Sequence, residues 1–127
     1  MKTNFKIAMG VVAGVALGAA AMQGLHAQAK PKAYSISELE VVDAAAQTAF
    51  VPVIAAAQRI AGGRNLRTGG QVIAMEGAAA PKRVAITEWD SLEQAQAFYK
   101  SKAWADLLPQ RDKANKTIRR YIVEAAN

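Results

Sequence analysis

Three glutamates lie where strand-like sequence would bring them together, and they are the first candidates for chemistry. Glu38 and Glu40 are two residues apart, so a β-strand directs both side chains to the same face. Glu88 lies in a second strand-like segment and could join them. Clustered carboxylates raise one another's proton affinity, which suits acid–base catalysis. The alternative is that they form ion pairs with arginines and fix the register of the strands or a dimer seam.

Two arginines and two tyrosines complete the candidate site. Arg64 and Arg67 lie within a bend, residues 62–70, that contains four glycines. They could hold a carboxylate or phosphate through bidentate hydrogen bonds, or they could pair with the glutamates. Tyr34 and Tyr99 could donate a proton or stack on a ligand, or they could be half-buried core residues. We predict a site between the sheet and the second helix. The three glutamates form its base, and Arg64, Arg67 and Tyr99 lie beside it.

Several residue types needed for common catalytic sites are missing from the sequence. The chain has no cysteine, and its single histidine, His26, lies in the N-terminal segment discussed next. Thiolate catalysis, disulfides, serine–histidine triads, histidine-ligated haem and ordinary zinc sites are therefore excluded from the remainder of the chain. The acidic residues are too scattered to argue for a metal site. We predict no cofactor and no metal.

The first 29 residues have the three-part pattern of a secretory signal peptide. Lys2 and Lys6 form a basic start, residues 7–22 are uncharged and rich in alanine and glycine, and small residues follow at Ala27 and Ala29. We predict cleavage after Ala29, with Ala27 as the second choice, and a periplasmic or secreted protein. The alternative is an uncleaved anchor, although the apolar run is shorter than the ~20 residues that a spanning helix needs.

The predicted mature chain, residues 30–127, carries a mild positive charge. It keeps 14 basic residues (16 minus Lys2 and Lys6) against 10 acidic ones. This excess favours attraction to anionic ligands or surfaces but is too small to indicate a nucleic-acid-binding protein. A basic run near the C-terminus is typical of a solvated helix face. It comprises Arg111, Lys113, Lys116, Arg119 and Arg120.

The pattern of apolar residues predicts one α+β domain. Strands are predicted over residues 33–42, 65–75, 82–89 and 119–124. Asp43 is a suitable N-cap for a helix that ends at Gly62, and Ser91 with Gln94 forms a capping box for a second helix, with a break at Ser101. The resulting order, β-α-β-β-α-β, is the ferredoxin-like arrangement with an antiparallel sheet.

Short motifs follow one another along the chain. They include Glu38-x-Glu40, Gly62-Gly63-Arg64, Glu76-Gly77, Pro81-Lys82-Arg83, Ser91-Leu92-Glu93, Phe98-Tyr99 and Pro109-x-Arg111. The order of these motifs resembles the bacterial family known as domain of unknown function 1330. The resemblance covers nearly all of residues 30–127, and it implies a subunit of the dimeric α+β barrel type, without an established general activity. The histidine-dependent chemistries of the wider superfamily have no counterpart in this chain.

Three functions are compatible with the sequence. The first is an exported protein that binds a small anionic or aromatic molecule. The second is a cofactor-independent enzyme, isomerase- or monooxygenase-like, that uses carboxylates and tyrosine as acid and base. The third is a structural homodimer of the envelope. A homodimer is expected in each case, because Ile36, Val84 and Ile86 form an apolar sheet face that a second copy would cover. Membrane contact is expected only through an uncleaved N-terminal segment.

Overall fold

The computed structural model describes residues 30–126. The predicted signal peptide, residues 1–29, lies outside this part of the chain, and its cleavage stays a prediction. The described elements follow one another as β1 (Ala33–Val41), α1 (Ala44–Ile60), β2 (Arg64–Asn65), β3 (Arg83–Trp89), α2 (Leu92–Tyr99), α3 (Lys102–Ala114) and β4 (Asn115–Glu124).

The four strands form one antiparallel sheet in the order β2-β3-β1-β4. In the centre, Ile36 of β1 lies opposite Ile86 of β3 on one side and Tyr121 of β4 on the other. The predicted α+β ferredoxin-like order is thus confirmed, with the second helix divided into α2 and α3. Among residues 30–126, we find no helix with the length and hydropathy needed to cross a bilayer.

Each helix begins at a polar side chain that accepts a hydrogen bond from a free backbone N–H. Asp43 Oδ1 accepts from Ala46 N at 2.8 Å, and Ser91 Oγ accepts from Gln94 N at 3.1 Å. Gln94 Oε1 in turn accepts from the Asp90 backbone N–H at 2.9 Å. The predicted capping box therefore uses the N–H of the residue before Ser91, and not that of Ser91 itself. The predicted break at Ser101 is confirmed, because Ser101 is the N-cap residue of α3.

The core lies between the sheet and helices α2 and α3. Its fully buried members include Ala33 and Trp89 from the sheet and Ala95 from α2. Phe98 and Trp104 pack beside them, and the rings of Trp89 and Phe98 are 5.3 Å apart. Trp89 and Trp104 are therefore both core residues.

The second strand is much shorter than the predicted 65–75. The Leu66 N–H still donates to Ile86 O at 3.0 Å, but the next N–H, that of Arg67, donates to the Asn65 side chain at 2.9 Å. Arg67 also takes a left-handed conformation, with φ of 52°. An asparagine side chain that bonds the backbone two residues on forms a turn, and this turn leads the chain away from β3. Residues 66–82 consequently cross the surface as a loop.

The fourth strand is longer than predicted and begins at Asn115, directly after α3. The C-terminal basic run is therefore not one solvated helix face. Arg111 and Lys113 belong to α3, whereas Arg119 and Arg120 are neighbours on a strand and point to opposite faces of the sheet. This difference brings Arg120 to the helix-covered side.

Candidate functional site

A cavity of about 650 Å³ lies between α1 and the helix-covered face of the sheet. Phe50, Val51 and Ile54 of α1 form an apolar wall, and Leu39 of β1 lies across from it. The loop that follows β2 and the rings of Tyr99 and Trp104 close other sides. A cavity of this size with apolar walls and a few polar groups is typical of small-molecule sites.

The charged side chains that line this cavity all have the same sign. Among residues 30–126, six arginines line it, and no aspartate, glutamate or lysine does. The arginines are Arg59, Arg64, Arg67, Arg83, Arg111 and Arg120. Arg64 and Arg111 are paired with carboxylates outside the lining, and the other four form no ion pair within residues 30–126. The lining therefore carries an excess of positive charge, which favours an anionic ligand.

Three of the predicted site residues line the cavity, namely Arg64, Arg67 and Tyr99. The predicted position of the three glutamates is wrong. Ser35, Ser37 and Leu39 of β1 face the helices. Because side chains alternate along a strand, Glu38 and Glu40 lie on the opposite, open face of the sheet.

Glu88 and Tyr34 also lie on that open face, where they contact each other. The Tyr34 hydroxyl donates to Glu88 Oε2 at 3.2 Å, while Arg64 and Lys32 contact Glu88 Oε1 at 2.8 and 3.1 Å. The hydrogen bond from Arg64, followed by that from Lys32, lowers the pKa of Glu88 below its ordinary value. A carboxylate held in its ionised form by two cations is a poor proton acceptor.

The other glutamates do not join Glu88. Glu38 pairs with Arg119, and it lies opposite Val84, whereas Glu88 lies opposite Tyr34. Tyr34 and Glu38 are four residues apart on β1, so roughly 13 Å separates the two glutamate positions. Glu40 is exposed near the end of β1. Among residues 30–126, no group of three or more carboxylate, histidine or thiol side chains could hold a metal ion.

Arg120 lines the cavity, although the sequence analysis assigned it to a solvated helix face. Its guanidinium lies 4.7 Å from the Trp104 ring centroid and 5.2 Å from that of Tyr99. Its Nε donates to Ser37 Oγ at 2.8 Å. Burial lowers the pKa of Arg120, the Tyr99 phenol acts in the opposite direction, and the positive charge of Arg111 lowers it further. The alternation of β4, with Arg120 and Ile122 on the core side, is the sequence signal that could have identified it.

Three buried amide side chains also line the cavity. Asn115 Nδ2 donates to Gln47 Oε1 at 2.7 Å, which ties the start of β4 to α1. The remaining oxygen of Asn115 and the side-chain oxygen of Gln58 have no hydrogen-bond partner among the described residues. Asn115 and Gln58 are 3% and 6% exposed, so these two oxygens are shielded from bulk water. Buried polar atoms normally have partners, so these two oxygens are exceptions among the buried side chains of the cavity wall.

Comparison with known proteins agrees with the predicted resemblance. The sequence profile described as domain of unknown function (DUF1330) matches residues 32–126. The chain belongs to the DUF1330 family. No curated protein sequence matches it significantly.

Solved structures similar to this DUF1330 protein share its fold at low sequence identity. Two crystal structures of RPA0582, a protein of unknown function from Rhodopseudomonas palustris, are 11% identical to it, with TM-scores of 0.59 for the methylated protein and 0.56. The first alignment covers 84% of this chain and 90% of that one, and the second covers 83% and 89%. SnoaB, a cofactor-independent oxygenase from Streptomyces nogalater, is 12% identical, with a TM-score of 0.51 over 76% of this chain and 95% of SnoaB.

Proposed function

We propose that this protein binds a small organic anion in the cavity between α1 and the sheet. The supporting observation is the charge of the lining, six arginines without a carboxylate or lysine, beside the apolar wall of α1. An arginine fork can hold a carboxylate by two parallel hydrogen bonds, and the apolar wall can cover the rest of the molecule. The binding residues proposed from the sequence, Arg64, Arg67 and Tyr99, are retained, and Tyr34 is not.

A ligand screen with charge-matched pairs tests this function. Thermal shifts are measured for aromatic and aliphatic carboxylates beside their neutral amides, at low and high salt. The acids should raise the melting temperature, and added salt should weaken the effect, because part of the attraction is electrostatic. Equal shifts for acids and amides, or no shift with any acid, would contradict the proposal.

The second candidate is a cofactor-independent enzyme. The Tyr99 phenol favours it, because Tyr99 lines the cavity and its hydroxyl donates to Ser35 Oγ at 2.9 Å. SnoaB, whose fold is similar, is a cofactor-independent oxygenase. Acid–base chemistry would then depend on Tyr99, since Glu38, Glu40 and Glu88 lie on the other face. Each compound that binds is incubated with the protein and followed by mass spectrometry. If a compound is consumed by the wild-type protein and not by Tyr99→Phe, the protein is an enzyme and not only a binding protein.

We also propose that two copies pair through the open face of the sheet. Ile118, Tyr121 and Val123 of β4 are 53%, 42% and 48% exposed. The acidic residues Glu38 and Glu88 on the same face are already paired within the subunit, so covering them leaves no isolated charge. A partly apolar face whose Glu38 and Glu88 are paired within the subunit is suited to a two-fold contact, which is also the assembly that the family resemblance implies.

We propose in addition that the protein acts in the periplasm or after secretion. The support is the pattern of residues 1–29 together with the absence of cysteine, which leaves folding independent of the redox state of the compartment.

A further inference from the structure

Two of the cavity arginines are half-buried and have no ion pair. Three of the six are exposed to solvent, namely Arg59, Arg64 and Arg67. Arg111 is half-buried but pairs with Asp112 at 2.8 Å. Arg83 and Arg120 are the other half-buried pair, and within residues 30–126 neither forms an ion pair. A partly desolvated cation without a counter-ion is costly, so each of these guanidinium groups is suited to take an anionic group of a ligand.

Arg83 and Arg120 lie on the same face of the sheet, on the two strands that flank β1. Arg83 of β3 is opposite Leu39, and Arg120 of β4 is opposite Ser37. Leu39 and Ser37 face the helices, and residues directly opposite each other in an antiparallel sheet share a face. Two interstrand spacings and two residues along β1 separate the two arginines, which places their Cα atoms roughly 12 Å apart.

The two guanidinium groups are held by different parts of the cavity wall. That of Arg120 lies 4.7 Å from the Trp104 ring centroid, and its Nε donates to Ser37 Oγ at 2.8 Å. That of Arg83 lies beside the loop after β2, where its Nη2 is 3.1 Å from the position that a Cβ on Gly69 would occupy. Because β2 pairs with the edge of β3 that is remote from β1, Arg83 turns away from Arg120. The two guanidinium groups are therefore placed to bind separate anionic groups.

The wall between these two positions is apolar. Leu39 of β1 lies beside the line that joins the two arginines, and Phe50 and Ile54 of α1 lie across the cavity from the sheet. A molecule that reaches both arginines must pass this wall, and an apolar segment suits that position.

From this arrangement we infer that the cavity takes a dianionic organic acid whose two anionic groups lie at opposite ends of an apolar body. Arg83 binds one group, Arg120 binds the other, and Leu39 and Phe50 contact the body. A monoanion leaves one of the two half-buried arginines without a counter-ion, whereas the dianion compensates both. This inference rests on the proposed anion-binding function and specifies the class of anion.

Binding of matched compounds to the full-length protein tests the inference. Terephthalate is compared by calorimetry with its monoamide, with its diamide and with phthalate, an isomer whose two carboxylates are adjacent and cannot reach both arginines. Azelate, its monoamide, its diamide and its isomer hexylmalonate form a second, longer set. Within at least one set, the extended diacid should bind at least about tenfold more tightly than both its monoamide and its isomer, the size expected for hydrogen bonds to a charged group.

Variants identify the groups responsible. Arg83→Gln and Arg120→Gln should each weaken the extended diacid at least about tenfold, to the level of its monoamide, and should affect the monoamide less because it uses only one of the two positions. The matched controls are Lys82→Gln and Arg119→Gln, which remove the same charge one residue away and outside the cavity lining. Neither control should change the affinity of the diacid.

Two further variants keep the test decisive if Arg120→Gln does not fold. Arg120→Lys keeps the positive charge and should still weaken the diacid, because lysine lacks the planar fork of arginine. Arg83→Gln breaks no ion pair within residues 30–126, so it tests the other end of the ligand in a folded protein.

The outcomes separate this inference from the function on which it rests. Suppose that acids outbind the diamides, but that in both sets the extended diacid binds no more tightly than its monoamide or its isomer. The inference is then overturned and anion binding stands, as it also does if Arg83→Gln or the Arg120 variants bind the diacid as the wild type does. If acids and diamides bind equally, or none of the acids binds, both fall.

Discussion

The indole N–H of Trp89 donates to the hydroxyl of Ser35 at 3.0 Å, and both side chains are buried. The same hydroxyl accepts from Tyr99 at 2.9 Å. One small polar residue of β1 thus satisfies the polar atoms of two aromatic side chains, one from β3 and one from α2. This contact joins the sheet to the wall of the cavity.

Removing the Ser35 hydroxyl should destabilise the protein more than the loss of such a small group suggests. Ser35→Ala leaves the buried Trp89 N–H without its acceptor, and we expect the free energy of unfolding to fall by about 1–3 kcal/mol in urea denaturation. In a Trp89→Phe background the same substitution should cost less, because the orphaned donor is gone. An equal cost in both backgrounds would show that this hydrogen bond does not stabilise the fold.

Gly63, in the loop after α1, packs closely against the sheet. A Cβ at this position would lie 2.9 Å from Thr87 Cγ2 and 2.9 Å from Trp89 Cη2. Gly63→Ala should therefore lower the free energy of unfolding by about 1–3 kcal/mol through overpacking. Gly70→Ala is the control, since nothing lies within 4 Å of its Cβ position, and we expect a change within about 0.5 kcal/mol. Similar melting temperatures for the two variants would contradict this.

The ion pairs of Glu88 should make stability depend on pH. Its pKa in the folded protein is depressed, chiefly by Arg64, so its contribution is present above the unfolded-state pKa near 4.5 and is lost as the pH falls through the folded-state pKa. Glu88→Gln should therefore lower the melting temperature at neutral pH and have progressively less effect in acid. Thermal denaturation from pH 7 down to pH 3 checks this. A difference that grew on acidification would contradict the sign.

The proposed dimer predicts a sharp contrast between two exposed apolar positions. Val123→Asp places a charge on the open sheet face and should convert the dimer to a monomer in light scattering at micromolar concentration. Ile60→Asp, at a residue of α1 that is 86% exposed, should leave it a dimer. A wild-type monomer, or a Val123→Asp dimer, would exclude pairing through this face.

The proposed export predicts a defined product. Intact-mass measurement on protein from the periplasm should give a chain that begins at Lys30, or at Gln28 if cleavage follows Ala27. Full-length protein recovered only from membranes would instead support an uncleaved anchor.

The fold was predictable from the sequence because its local signals agree with one another. The caps at Asp43 and Ser91, the break at Ser101 and the alternation of β1 and β3 all appear as predicted. The extent of β2 was not predictable, since it depends on a competition at Asn65 between the strand ladder and a local turn. Short-range patterns do not resolve that competition.

The position of the site was harder to predict, for a physical reason. Neither face of β1 is clearly apolar, and the face that the helices cover carries Ser35 and Ser37, whose hydroxyls accept hydrogen bonds from Trp89, Tyr99 and Arg120. Pattern analysis treats serines as exposed, and here their partners come from distant parts of the chain. The assignment of faces therefore required the three-dimensional arrangement.

The strand order β2-β3-β1-β4 has a consequence for synthesis of the chain. β1 is made first among the strands, yet both of its neighbours come from the second half of the sequence, and the last of them, β4, ends at Glu124. A nascent chain cannot complete its central strand pairings until β4 has been made, and pairings so distant in sequence form slowly. The first strand should thus stay without its partners while the helices and β3 are being synthesised, and the sheet should form late in folding.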